Sequence, residues 1–165
     1  ASIEFTLPTA YKQVNFGFYN ITPATDNTSF TFNGSTDGGS NYNVTKTTSA
    51  FSAHHNEADT DTALQYRTAN DLAQSTSYAQ LSYFNGNGAD QGSVGELLLF
   101  NPASTTYVKH FYSRTGSQNA ASSSYALNCY SAGYFNDGSN DLTNISFKMS
   151  SGNISSGTIK MWGIS

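Results

Sequence analysis

The stretch His54-His55-Asn56-Glu57-Ala58-Asp59-Thr60-Asp61 gathers two imidazoles and three carboxylates within eight residues, a donor set that suits Zn²⁺ or a harder, oxygen-seeking cation. Its spacing matches neither the HExxH helix nor the EF-hand loop. Neighbouring residues of an extended chain also project to opposite faces, which keeps His54 and His55 from sharing one ion. The expectation is a solvated polar loop shaped by Asx turns, with no metal; His54, His55, Glu57, Asp59 and Asp61 are the residues that would ligate one. A second use for the histidine pair is as a pH sensor at an intersubunit contact.

Hydrolytic chemistry finds less to work with. Glycoside hydrolysis needs two carboxylates facing one another about 5 to 9 Å apart. The glutamates are Glu4 near the start, Glu57 in the polar stretch and Glu96 in VGELLLF. Only Glu96 falls on a predicted central strand, and no other strand offers it an acidic partner, so it is expected to be a hydrogen-bonded or paired structural carboxylate. No G-x-S-x-G elbow occurs, and His110 in TYVKHFYS has no visible acid beside it. Cys129, the single cysteine, excludes an intrachain disulfide and any multi-cysteine metal site, and reads as a small buried thiol within a strand. These residues predict no catalytic group, no cofactor and no enzymatic activity.

The elements that must carry these residues are strands. Apolar residues alternate along 14–20 (VNFGFYN), 29–33, 41–47, 78–84, 94–100, 106–113, 125–135, 144–149 and 157–164, about nine segments bounded by turn residues. The turns are Thr36-Asp37-Gly38-Gly39-Ser40, Asn85-Gly86-Asn87-Gly88-Ala89-Asp90, Asn101-Pro102, Asn136-Asp137-Gly138-Ser139 and Gly152-Asn153, which supply positive φ and Asx geometry. Glu57 to Ser75 is the least strand-like segment and reads as a long loop. The pattern predicts an all-β fold, a jelly-roll-like antiparallel β-sandwich of about nine strands in a single domain, 1–165.

Composition narrows the partners. Charged residues make up 11% of the 165 and aromatic residues 14%, so the chain is polar through Ser, Thr, Asn, Gln and Gly and still has the means to build a core. Net charge is −4, and the seven basic residues are scattered, which argues against nucleic-acid binding. No apolar run approaches a membrane span, so membrane insertion is not expected; ASIEFTLPTAYK has neither a basic n-region nor an apolar h-region, so nothing argues for Sec-type export, and a mature form already cleaved would look the same. N-x-[ST] sequons at Asn20, Asn27, Asn33, Asn43, Asn144 and Asn153 arise easily by chance in so Asn-, Ser- and Thr-rich a chain.

Three stretches carry a resemblance: FYNITPATDNTSFTFNGSTDGGSNYNVT, LLFNPASTTYVKHFYSRTG and NDLTNISFKMSSGNISSGTIKMWGIS. Together they resemble small structural virion proteins of tailed, mainly marine, bacteriophages, of the head decoration or tail fibre type. The last stretch is similar to that group's closing hairpin: a strand with Ile145, Phe147 and Met149, a Ser-Gly-Asn and Ser-Gly-Thr turn, and a final Met161-Trp162-Gly163-Ile164, with Trp162 where tyrosine is more usual. The resemblance implies a non-enzymatic virion structural protein made in the host cytoplasm and displayed on the particle exterior, in first place as a capsid decoration (cement) protein. The alternative it implies is a tail-fibre or spike receptor-binding module, with loops 34–43, 85–93 and 136–141 displaying Asn, Asp and Tyr to a host surface glycan. Its expected partners are two further copies in a homotrimer and the major capsid protein or tail and fibre proteins of the same particle.

Two features place the expected oligomer interface. LLLF is apolar on both faces, which marks a strand central in its sheet or covered by a neighbouring subunit. Trp162 is the fourth residue from the end of the sequence, on a strand that either completes the core or meets another subunit. The predicted interface residues are therefore Leu97, Leu99, Ile159, Met161, Trp162 and Ile164.

Overall fold

A computed structural model describes residues 1–119 and 124–165. Among them lie twelve strands and no helix, all paired antiparallel in two sheets. The strands are β1 (Ile3–Thr6), β2 (Gln13–Pro23), β3 (Thr28–Ser35), β4 (Lys46–Asn56), β5 (Thr62–Tyr66), β6 (Leu72–Ser75), β7 (Ala79–Asn85), β8 (Ser93–Phe100), β9 (Lys109–Gln118), β10 (Tyr125–Phe135), β11 (Asn144–Met149) and β12 (Ile154–Ile164). The smaller sheet runs β1-β11-β3-β7. The larger runs β12-β2-β8-β9-β10-β4-β5, with β6 also paired to β4.

The expected all-β sandwich is present, with twelve strands where about nine were expected: β1 was not among the expected segments, and two further segments differ. The segment read as a loop, Glu57 to Ser75, contains β5 and β6. Most of β5 is exposed, so it carries no apolar alternation and only its backbone pairing with β4 makes it a strand. The 41–47 segment enters a strand only at Lys46, and β4 then runs on to Asn56, taking in the histidines expected in a loop. Its inward positions, Lys46, Thr48, Ala50 and Ser52, are small or polar, and so hide the period-2 signal.

The core lies between the sheets and is built on phenylalanine. Phe147 of β11 is fully buried at its centre, with ring centroids 5.1 Å from Phe16, 5.4 Å from Phe18 and 5.8 Å from Phe30. The Phe16 and Phe18 contacts are edge-to-face, the arrangement that ring quadrupoles favour. Leu97 and Leu99 of β8 are fully buried in this cluster, while Leu98 and Phe100 are half-buried on the other face, and β8 lies between β2 and β9, as the doubly apolar LLLF predicted for a central strand.

Two lysines occupy inward positions. Lys46 and Lys109 both pair in register with Phe135, from β4 on one side of β10 and β9 on the other, and both are fully buried. Lys46 Nζ donates to Ser77 O at 2.6 Å and sits 5.5 Å from the Phe135 ring centre. Burial pushes its pKa down to about 7. Lys109 Nζ donates to the carbonyls of Asp137 and Asn140, and burial lowers its pKa, partly offset by the charges of Asp137 and Asp141.

Candidate functional site

The histidine and aspartate cluster resolves into two separate pairs. His54 and His55 are consecutive in β4, so one side chain is half-buried and the other exposed. His54 Nε2 lies 3.6 Å from Asp61 Oδ1, and His55 Nε2 lies 3.0 Å from Asp59 Oδ1. Glu57 is exposed in the turn that follows. No set of three His, Cys, Asp or Glu side chains among the described residues converges on a point where a metal would sit. Asn56 shapes the turn instead, its Oδ1 accepting from the backbone N–H groups of Thr60 and Asp61 at 2.9 and 3.0 Å.

Cys129 is fully buried beside Tyr83 in a second, smaller core cluster, and burial raises its thiol pKa to about 11, which keeps it protonated and unreactive at neutral pH. His110 faces outward on β9, with its ring 5.9 Å from that of Tyr134. The three loops considered for glycan display do not form one surface. Loops 34–43 and 136–141 share an end of the sandwich, where Gly38 N donates to Thr143 Oγ1, whereas loop 85–93 lies at the far end of β3, where Asn87 N donates to Asp26 Oδ1. Two of their carboxylates are also already engaged. Asp37 accepts from Ser35 Oγ and from Asn41 N and Nδ2, which lower its pKa to about 2, and Asp137 accepts from Ser139 and Asn140.

The outer face of the larger sheet is different. Strand pairing aligns one residue from each of seven strands in a single row: Lys160, Gly17, Glu96, Arg114, Tyr130, Phe51 and Tyr66. Period-2 alternation forces this exposure, because Phe16, Phe18, Leu97, Cys129 and Ser52 on the same strands point inward. Phe51 and Tyr130 stack with centroids 4.6 Å apart and planes 9° from parallel. Arg114 covers the same tyrosine, with its guanidinium carbon 5.4 Å from the ring centre, and donates from Nε to Asn128 Oδ1 at 3.2 Å.

Glu96 departs from its expected role. It is exposed, directly across the ladder from Arg114, and has no hydrogen bond or ion pair among the described residues. The two flank a depression of about 540 Å³ lined also by Val94, Gly95, Gly116, Leu127 and Asn128, in which Glu96 is the sole carboxylate. Gly95 is required here: at its φ of 149° a Cβ would lie 2.2 Å from Arg114 O.

Trp162 also lies on this outer face. It is 41% exposed, and the end of its indole fills the space above Gly17, where a Cβ would sit 3.0 Å from the ring, beside Tyr19. Lys160 Nζ is 5.5 Å from the Tyr19 ring centre. Of the predicted interface residues, Leu97 and Leu99 are fully buried, Ile159 and Met161 pack against the core, and Trp162 and Ile164 present exposed surface. Arg114, Tyr130, Phe51 and Tyr66 were not anticipated. Their signal was the parity of β10: once Leu127, Cys129 and Phe135 point inward, Tyr130 and Tyr134 must point out. No family model, curated protein or solved structure matches this chain.

Proposed function

We propose that the chain is a non-enzymatic structural protein of a tailed-phage virion, a capsid decoration protein that attaches to the particle exterior through the outer face of its larger sheet. The observation that carries the reading is the row from Lys160 to Tyr66, which concentrates aromatic side chains, one carboxylate and two cations on one open sheet face. Exposed apolar surface gathered in one patch and mixed with arginine is the composition of a protein contact. Phe51 and Arg114 already cover the faces of Tyr130, so this part of the row offers ring edges to a partner rather than the open faces on which sugars stack. The resemblance of the closing hairpin to phage virion proteins supports the location. Adding the purified chain to particles that lack it tests the reading: saturable binding that Tyr130→Ser with Phe51→Ser abolishes is expected, and unchanged binding by that folded variant would overturn it.

One observation favours a second reading, a receptor-binding module of a tail fibre or spike. The depression of about 540 Å³ between Glu96 and Arg114 places an acceptor and a donor on one open space. In that case glycan-array binding appears with the wild-type chain and is lost in Glu96→Gln.

A further inference from the structure

We propose that the outer face of the larger sheet docks against the same face of a second copy, across a two-fold axis lying in the face and running along the strands between β8 and β9. The inference rests on the reading of that face as the contact surface and names its occupant in the free chain, a second copy that the particle displaces on attachment.

The row is self-complementary under this one operation. With the axis between β8 and β9, strand β8 lies opposite β9 of the other copy, β2 opposite β10, and β12 opposite β4, because the sheet order is β12-β2-β8-β9-β10-β4-β5. Register then places Glu96 over the other copy's Arg114, and Arg114 over its Glu96, two identical carboxylate and guanidinium contacts at the centre. Each group is available for this. Among the described residues Glu96 has no hydrogen bond or ion pair, and Arg114 uses Nε for Asn128 while its terminal nitrogens hold none. One step outward, Tyr130 meets the ground over Gly17, which Trp162 and Tyr19 pave with rings. A further step places the Phe51 ring over Lys160, a cation already seated on Tyr19. In the neighbouring rows Leu98 meets Tyr112, and Val94 meets Gly116, a side chain against a residue without one.

No other axis parallel to the strands puts Glu96 and Arg114 opposite one another twice. Moving it by one strand, to between β9 and β10, sets Arg114 over Tyr130 and Glu96 over Phe51, and leaves both carboxylates unpaired. The overlap spans six of the seven strands, about 4.8 Å apart, and four outward rows over ~20 Å, a planar area on the order of 500 Å² that side-chain relief enlarges toward the roughly 800 Å² per partner of a stable interface. Two sheets packed face to face cross at about 30°, which the central pairs tolerate best because they lie nearest the axis.

Reciprocal charge exchange tests the axis directly. Light scattering and sedimentation equilibrium of the full chain at about 100 μM should give twice the 17.7 kDa chain mass. Glu96→Arg and Arg114→Glu should each reduce the assembly to monomer at that concentration, since each sets like charges opposite one another at both central contacts. The double variant should restore the dimer. Thermal melting confirms that each variant is folded, and rescue by the double variant excludes misfolding as the cause of the loss. A monomeric or trimeric wild-type chain, or a double variant that stays monomeric, overturns the two-fold. If the wild-type chain is monomeric yet binds particles through Tyr130 and Phe51, the dimer falls while the decoration reading stands.

Discussion

The two faces of the eight-stranded sheet are built by the same strands from the same kinds of ring, and they differ in the company those rings keep. On the inner face Phe16, Phe18, Phe111 and Phe135 meet the smaller sheet in edge-to-face contacts with no charge beside most of them. On the outer face Tyr130 and Tyr19 are paired with Arg114 and Lys160 at 5.4 and 5.5 Å, Phe51 stacks on Tyr130, and every one of these side chains reaches solvent. A ring surrounded by rings stabilises the chain that owns it. A ring stacked with a cation at the surface keeps a polar group ready for something else. The difference is one of single-residue parity along each strand, so Leu97 and Glu96 belong to different functions though they are adjacent.

The largest blow to that contrast should come from inside. Phe147→Ala removes the ring shared by both sheets and is expected to cost about 3 to 5 kcal/mol, read as a lower urea midpoint with an unchanged slope. A cost below about 1 kcal/mol would mean that the core is not centred there.

The next effect concerns the charged intruder on the inner face. Lys46 has its pKa lowered to about 7 in the folded protein, whereas the unfolded chain holds its proton up to about 10.5. Between pH 7 and 9 the unfolded state therefore binds more protons, and stability should rise with pH by up to ~1.4 kcal/mol per unit. The lowered pKa of Lys109 adds in the same direction. Above about pH 9 the gain should flatten, because burial raises the pKa of Cys129 to about 11 and the unfolded thiol ionises first. Urea titrations at pH 7, 8 and 9 should show the rise, and Lys46→Met should reduce it; an identical slope in the variant would refute the assignment.

A smaller effect on stability is expected from the outer face. Tyr130→Ala removes a stacked pair that is half in water, at a cost of about 1 kcal/mol or less to the isolated chain. The same change should abolish assembly. If it destabilises the monomer as much as Phe147→Ala does, the two faces are not distinct in kind.

The smallest effect belongs to the histidine turn. His55→Ala breaks an exposed pair with Asp59 and should change stability by less than about 0.5 kcal/mol. EDTA should shift the melting temperature by less than about 1 °C, since a metal bound only to the folded state would reveal itself by mass action. A large drop, reversed by one ion, would contradict the separation of His54 from His55.

What the sequence disclosed follows the strength of the alternation. Strands β2, β8, β10 and β11 have large apolar residues at inward positions and were legible as strands. Strand β4 hid because its inward residues are Lys46, Thr48, Ala50 and Ser52, and β5 because both its faces are largely exposed. Nothing in the sequence marks Lys46 and Lys109 as buried, since no local pattern announces that Ser77, Asp137 and Asn140 will turn their carbonyls toward them. The outer row was invisible for another reason. It is a property of register across seven strands, and its members are scattered from Gly17 to Lys160 along the chain.

The solitary thiol gives the molecule a clock. Cys129 sits in the middle of β10, pairing with Ser52 on one side and Thr115 on the other, with none of its surface open to solvent. A thiol reagent can reach it only when those ladders part, so its labelling rate at rising reagent concentration counts openings of the central strands rather than encounters. With one sulfhydryl per chain the reading needs no deconvolution, and it would time the breathing of the sandwich.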